Sequence, residues 1–211
     1  MYIYSKQQRF DRLELRNPGL RILPPLCVSS PKILNGMILG YCKSKLYFCS
    51  MKASALGHII TDYINSKGDT VSPKKLQKLI YYVDAWHLVH FDKQIIEEDF
   101  EAWVHGPVVP ELYHELKKFR FNNIMVVNDE LDSADERIKK NAKKANLSED
   151  QLELIFSVLN KYGSLTSYEL EMLSHSEKPW LEARQGVPPH ERCTNKISRQ
   201  LMKDFYSSQI S

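Results

Sequence analysis

The stretch that decides the fold is SPKKLQKLIYYVDAWHLVH, which occupies residues 72–90. Ser72 followed by Pro73 is typical of an N-cap and a first helical position, because a Ser side chain accepts from a free backbone N–H and Pro has no N–H to leave unpaired. Apolar side chains then recur at helical spacing as far as His90. They form one stripe of Leu76, Leu79, Ile80, Val83, Trp86, His87 and His90.

This helix is apolar on most of its other sides as well, through Tyr81, Tyr82, Leu88 and Val89. A helix of that kind is normally covered by neighbours, so we predict that it lies in the middle of the core. Residues 95–105 alternate in polarity, which suits a short strand, and Gly106-Pro107 should end it. Further helices are predicted at 53–66, from Pro110, at 136–146, from Ser148, from Thr166, around 180–184 and at 195–206.

Two of these helix starts carry the pattern of a capping box, in which the N-cap hydroxyl and the side chain three residues later each bond the other's backbone N–H. The pairs are Ser148 with Gln151 and Thr166 with Glu169. We therefore expect a mainly α protein over residues 51–211, built as a single compact helical domain. It should have a central buried helix and at most a small β element.

Charge divides the chain into two unequal parts. The 211 residues carry a formal net charge of +3, but residues 1–50 hold eight Lys or Arg against two Asp or Glu, whereas residues 51–211 hold 21 against 24. The first part is therefore +6 and the second −3. The basic part also holds three of the four cysteines and no sustained periodicity.

Residues 1–50 are compatible with an ordered extension, a basic arm for nucleic acid, a disordered tail, or sequence outside the native protein. A good amphipathic helix begins directly after Met51, which favours a start at Met51. We expect a basic, irregular leader over 1–50 and the functional domain over 51–211.

Membrane and secreted classes are not favoured. No stretch reaches the roughly 18 apolar residues of a membrane helix, and the longest candidate, Ile33 to Cys42, is broken by Asn35 and two glycines. Four cysteines without paired spacing do not predict a disulfide framework. We expect a cytoplasmic, reduced protein.

Candidate catalytic and metal-binding residues each have a structural alternative that we favour. His87 and His90 lie one helical turn apart, but no second ligand pair stands at informative spacing. Cys193 lies in a polar stretch with no partner indicated by the sequence. A solvated helix face explains Lys139, Lys140, Lys143 and Lys144. We predict no catalytic residue, metal or cofactor, and the −3 charge argues against a nucleic-acid partner.

The unusual segment is FEAWVHGPVVPELY, residues 100–113. Its prolines and aromatic residues predict a rigid turn that presents Trp103, His105 and Tyr113. Trp and Tyr are frequent anchors at protein interfaces. Trp103 packed in the core between two helices is an equally open alternative.

Several short motifs together resemble the Panacea antitoxin domain, a family that includes SocA-type and phage-associated GepA-like proteins. The motifs run in the expected order over roughly residues 51–207. They are Leu76-Gln-Lys-Leu-Ile-Tyr-Tyr82, Ala85-Trp-His87, Glu101-Ala-Trp103, Gly106-Pro-Val-Val-Pro110 with Tyr113, Leu173-Ser-His175 and Glu177-Lys-Pro-Trp180. The leader is not covered.

The resemblance implies a type II antitoxin that neutralises a cognate protein toxin, encoded by a neighbouring gene, by direct binding and without catalysis. A second implied activity is that of an adaptor that delivers the toxin to the ClpXP protease. Two further alternatives are a DNA-binding autoregulator and a metal-dependent enzyme using His87, His105 or His175. An apolar recognition surface also permits self-association when the partner is absent.

The expected partner surface consists of Trp103, His105, Tyr113 and the helix face around Lys78 and Tyr82. Other motif residues are expected to determine the fold. They are Leu76, Gln77, Leu79, Tyr81, Trp86, Gly106, Pro107, Pro110, His175, Pro179 and Trp180.

Overall fold

The structure is a computed structural model that describes residues 50–119, 122–124 and 133–210. The interpretation of the leader therefore lies outside the described residues, apart from Ser50. The helices within the described part are α1 (Ala53–Ser66), α2 (Pro73–Phe91), α3 (Pro110–Leu116), α4 (Ala134–Lys144), α5 (Glu149–Tyr162), α6 (Ser167–Ser176), α7 (Lys178–Ala183) and α8 (Arg199–Ser207).

The only sheet in these ranges is an antiparallel hairpin of β1 (Glu101–Trp103) and β2 (Gly106–Val108). A short 3₁₀ turn, Lys117–Phe119, follows α3. The prediction of a mainly α fold with a small β element is confirmed. None of the helices described is both long and apolar enough to span a bilayer.

Helix α2 is the centre of the core, as the sequence predicted. Ser72 caps it by accepting from the backbone N–H of Lys75, and Asp92 ends it in the left-handed region with φ +56°. Every residue from Lys75 to Leu88 is buried. Helices α1, α5, α6 and α8 and strand β2 all pack against it. Each large apolar side chain fully buried there contributes on the order of 2 kcal/mol of transfer free energy.

Helix α4 is more firmly docked than its sequence indicated. The sequence predicted a weakly amphipathic helix surrounded by solvent, but Ile138 and Ala142, one turn apart, are buried against α1. The Nε of Arg137 lies 2.9 Å from a carboxylate oxygen of Asp62, which is buried on α1. The four lysines of α4 remain exposed on the outer face, as expected.

Both predicted capping boxes are present, at Ser148–Gln151 and Thr166–Glu169. A third, Ser133–Glu136, starts α4 and was not predicted. Each such cap stabilises its helix by about 1 kcal/mol.

The hairpin differs from its prediction at one point. Gly106 and Pro107 do not end the extended segment, because they form strand β2 themselves, after the turn at Val104-His105. Gly106 has φ +96°, which a side chain disfavours. The outer side of β1 is bonded by residues 195–197, through Ala102 N–H to Asn195 and Ile197 N–H to Phe100.

Candidate recognition surface

Two consecutive residues of α2 cover the outer edge of β2. Gln77 pairs with both backbone groups of Val109: its amide nitrogen lies 3.2 Å from the Val109 carbonyl, and its oxygen 2.9 Å from the Val109 N–H. Lys78 donates to the carbonyl of Pro107 at 2.8 Å. Side chains thus supply the hydrogen bonds that another strand would make. That Gln77, Gly106 and Pro107 determine the fold stays a prediction, and these contacts are the physical reason for it.

Two aromatic residues of the predicted turn segment, Trp103 and Tyr113, are in contact. The rings of Trp103 and Tyr113 meet edge to face, with centroids 4.9 Å apart, and the Tyr113 side chain lies on the surface at 39% exposure. The indole N–H of Trp103 donates to Glu101 at 2.6 Å. The indole N–H of Trp180 donates to the Trp103 carbonyl at 3.1 Å. Trp103 is therefore partly exposed and held in place, and does not lie inside the core.

His105 lies at the tip of the hairpin with its side chain 71% exposed. Its Nδ1 is 3.0 Å from the carboxylate of Glu171 on α6, which also pairs with Lys74 of α2. Burial alone would raise the pKa of Glu171, but the bonds from Lys74 and His105 outweigh it and lower that pKa. The tip of the hairpin is thus joined to two helices by charged groups.

Two residues of the predicted surface are buried, which corrects the expectation that they lie on an exposed face. Lys78 is 1% exposed beneath β2, and Tyr82 is fully buried and stacked on Tyr162 with centroids 4.2 Å apart. The apolar stripe of α2 predicted a central helix, and a central helix has no free face for these side chains. Trp103 and Tyr113 remain in contact on the surface, and His105 lies two residues after Trp103 at the tip of the same hairpin.

A buried polar cluster around Glu177 was not predicted. Glu177 precedes α7 and accepts from the hydroxyl groups of Tyr206 at 2.6 Å and Tyr82 at 3.3 Å. Burial raises the pKa of Glu177 to about 8, against the opposing effect of the two tyrosine bonds. The sequence signal was the acidic residue that directly precedes a short helix start, in the motif Glu177-Lys-Pro-Trp180.

Two charged contacts that hold the scaffold together were also missed. Asp84 of α2 is fully buried and accepts from Arg199 at 3.1 Å and from the backbone of Ile95 at 2.8 Å. Arg184 donates to four backbone carbonyls, including that of Ala102 in β1. The bonds from Arg199 to Asp84 and from Arg184 to Ala102 join residues 115 and 82 positions apart, so no local pattern indicates them.

The histidines and the cysteine considered for chemistry have structural contacts. His87 is buried between the carbonyl of Lys93 and the side chain of Gln151, and burial lowers its pKa to about 4. His175 stacks on Trp180 with centroids 4.0 Å apart. Cys193 is buried beside the carbonyl of Ala183. No group of three or more potential metal ligands occurs within the described ranges.

The chain is similar in sequence to one known protein family. The sequence profile of the family described as "Antitoxin SocA-like, Panacea domain" matches residues 76–181, which run from α2 to α7 and include the hairpin. Antitoxin SocA of Caulobacter vibrioides (strain NA1000 / CB15N) is 26% identical over 172 residues, covering 76% of this chain and 85% of the relative. No solved structure matches the chain.

The match supports an antitoxin role, a toxin partner in general and a function without catalysis. It also covers the elements that carry the aromatic pair and the contacts that hold it. On these grounds the chain belongs to the family of SocA-like antitoxins with a Panacea domain.

Proposed function

We propose that this protein is the antitoxin of a type II system and neutralises a cognate protein toxin by direct binding. The recognition surface consists of Trp103, His105 and Tyr113, at the hairpin and the adjoining face of α3. The observation that carries the proposal is the partly exposed aromatic pair on a backbone fixed from several sides.

The chemistry of this surface suits a protein partner. Trp and Tyr present large apolar rings with few rotatable bonds, so little side-chain entropy is lost when a partner packs against them. Tyr113 is further contacted by Lys117, whose ammonium lies 5.5 Å from the ring centroid. An aromatic centre with a polar rim is typical of a specific protein interface.

The rigidity of the hairpin supports the same proposal. Its two edges are covered by Gln77 and Lys78 on one side and by residues 195–197 on the other. No free strand edge is therefore offered for a toxin strand to extend the sheet. Binding should depend on the side chains of the surface, and a surface already ordered loses less entropy on binding.

The test is a pair of single substitutions, Tyr113→Ala and Trp103→Ala, in the full chain. Each should weaken binding of the neighbouring gene's toxin by about tenfold or more, as truncation of an interface anchor does. Ile210→Ala is the matched control, because Ile210 is also 39% exposed but follows α8 at the end of the described chain. Titration calorimetry measures affinity, and co-expression measures protection of cells.

Folded variants that bind and protect as well as the unchanged protein would contradict the proposed surface. The adaptor alternative gives a different result in the same cells. If the protein delivers toxin to ClpXP, toxin accumulates and cells lose protection when the protease is removed. If it blocks the toxin directly, protection persists without the protease.

A further inference from the structure

A lysine without a carboxylate partner lies directly beneath the hairpin. The ammonium of Lys78 donates one hydrogen bond, to the carbonyl of Pro107 at 2.8 Å. Its side chain is almost wholly removed from solvent, at 1% exposure. Among the residues described, no carboxylate forms an ion pair with it. An ammonium has three donors, so at least two of its N–H groups gain nothing from this position when it is charged.

The groups around Lys78 do little to compensate its charge. Glu171 of α6 attracts it, but that carboxylate is already bonded to Lys74 and His105. Lys74, on the same helix, repels it. The hydroxyl group of Ser174 donates to the carbonyl of Glu171. Neither residue of β2 that faces Lys78, Gly106 or Pro107, carries a charge.

Strand β2 packs directly against the side chain of Lys78. A Cβ atom placed on Gly106 would lie 2.8 Å from the Cε of Lys78 and 2.8 Å from the Oγ of Ser174. The lysine is therefore desolvated by the backbone of the hairpin itself. If the hairpin moves away, the amine of Lys78 becomes exposed to solvent.

Because the hairpin removes Lys78 from water, the pKa of Lys78 determines whether acid favours the closed or the open hairpin. Burial lowers the pKa of Lys78 to about 7, with Lys74 adding to the effect and Glu171 opposing it. A solvent-exposed lysine has a pKa of about 10.4. Lys78 thus binds a proton more weakly when the hairpin is closed than when it is open. Lowering the pH must therefore favour opening of the hairpin.

We propose that the hairpin is a proton-sensitive element, which packs closed on a neutral Lys78 and opens when Lys78 takes up a proton. The hairpin carries Trp103 and His105, so toxin binding would weaken in acid. That consequence for binding rests on the proposed function, whereas the coupling of hairpin and proton does not.

The test measures hydrogen exchange of the backbone amides of residues 102–108 in the full chain. The measured rates are corrected for the intrinsic pH dependence of amide exchange. The opening equilibrium should be about tenfold larger at pH 6 than at pH 8. Lys78→Met should remove this dependence, because Met fills similar space and cannot be protonated. Lys75→Met is the matched control, since Lys75 is a buried lysine of the same helix that pairs with Asp69, and it should keep the dependence.

The contact between His105 of the hairpin and Glu171 of α6 is a second charged contact near Lys78. It is present in all three proteins, so the difference between the unchanged protein and Lys78→Met isolates Lys78. Equal pH dependence in those two proteins would overturn the proposal.

A second measurement needs no variant. The side-chain carbons of Lys78, followed by nuclear magnetic resonance in the unchanged protein, should titrate near neutrality together with hairpin exchange. A Lys78 that stays charged to pH 9 would overturn the proposal even if Lys78→Met does not fold. Hydrogen exchange and the titration of Lys78 are both measured without the toxin. Failure of this proposal can therefore be told apart from failure of the proposed function.

Discussion

At the scale of single residues, the protein places ionisable groups where their charge is costly. Glu177 lies among the hydroxyl groups of Tyr82 and Tyr206, and burial raises its pKa to about 8 despite both bonds. Nothing cationic pairs with it among the described residues. A buried carboxyl group of this kind links folding to proton uptake.

The sign of that link gives the first residue-scale prediction. In the unfolded chain a glutamate titrates near 4.3, so between about pH 4.3 and pH 8 the folded state binds more protons. The contribution of Glu177 to stability therefore falls as the pH rises through this window. Glu177→Gln, which stays neutral, should be more stable than the unchanged protein at pH 8, and its advantage should shrink towards pH 5.

Urea unfolding at several pH values measures this difference. Glu182→Gln is a suitable control, because Glu182 is an exposed carboxylate on the next helix and pairs only with Lys178 at 3.4 Å. Its stability should follow the unchanged protein within about 0.5 kcal/mol. A constant gap between Glu177→Gln and the unchanged protein from pH 5 to pH 8 would contradict the proposed cause.

At the scale of elements, the hairpin is held by side chains of a helix. Gln77 satisfies both the N–H and the carbonyl of Val109, the residue that precedes α3. Gln77→Met keeps the volume but leaves the buried N–H of Val109 unpaired, whereas the Val109 carbonyl keeps its bond from the N–H of Tyr113. Because one unpaired buried group costs about 1–3 kcal/mol, the free energy of unfolding should fall by about that amount.

Gln200→Met provides the comparison for that prediction. Gln200 also bonds through its side-chain amide, but to Asp204 on an exposed face of α8. This variant should change unfolding in urea by no more than about 0.5 kcal/mol. A similar small effect for Gln77→Met would mean that another group takes over the bonds of Val109.

The elements also show what the sequence could predict. Local signals were sufficient for α1, which spans the predicted residues 53–66, and for two capping boxes, because both depend on neighbours within four positions. Strand β2 was missed because Gly106-Pro107 is locally a turn signal, whereas in the structure these residues pair with β1 directly after the turn at Val104-His105. The docking of α4 depends on Asp62, 75 residues before Arg137, so its own sequence understated its burial.

The sequence also predicted some residues of the candidate surface correctly and others wrongly. Trp103, His105 and Tyr113 stood out by residue type. Trp103 and Tyr113 do contact each other, whereas His105 contacts Glu171. Their role in binding stays a prediction. Lys78 and Tyr82 were placed on the surface because motif residues do not reveal which face of a helix is covered. The Glu177 cluster gathers residues from three separated segments, which no spacing rule could join.

At the scale of the whole molecule, the folded domain is tied together from Met51 onward. The Met51 N–H donates to Ile95 at 2.9 Å, its carbonyl accepts from Glu97 at 2.9 Å, and its side chain is buried. Lys52 pairs with Glu97, and Glu98 accepts from the N–H of Ala53. All described helices and both strands follow this segment.

These contacts give the last prediction, on the domain division expected from charge and periodicity. A chain of residues 51–211 should fold alone, with a free energy of unfolding within about 0.5 kcal/mol of the full chain. It should also bind the toxin equally well, although its formal charge is −3 and not +3. A chain that begins at Ser54 is the control: it lacks the Met51 pairing and should unfold at lower urea. A 51–211 chain that is unfolded, or weaker by more than about 2 kcal/mol, would mean that the first fifty residues belong to the folded unit.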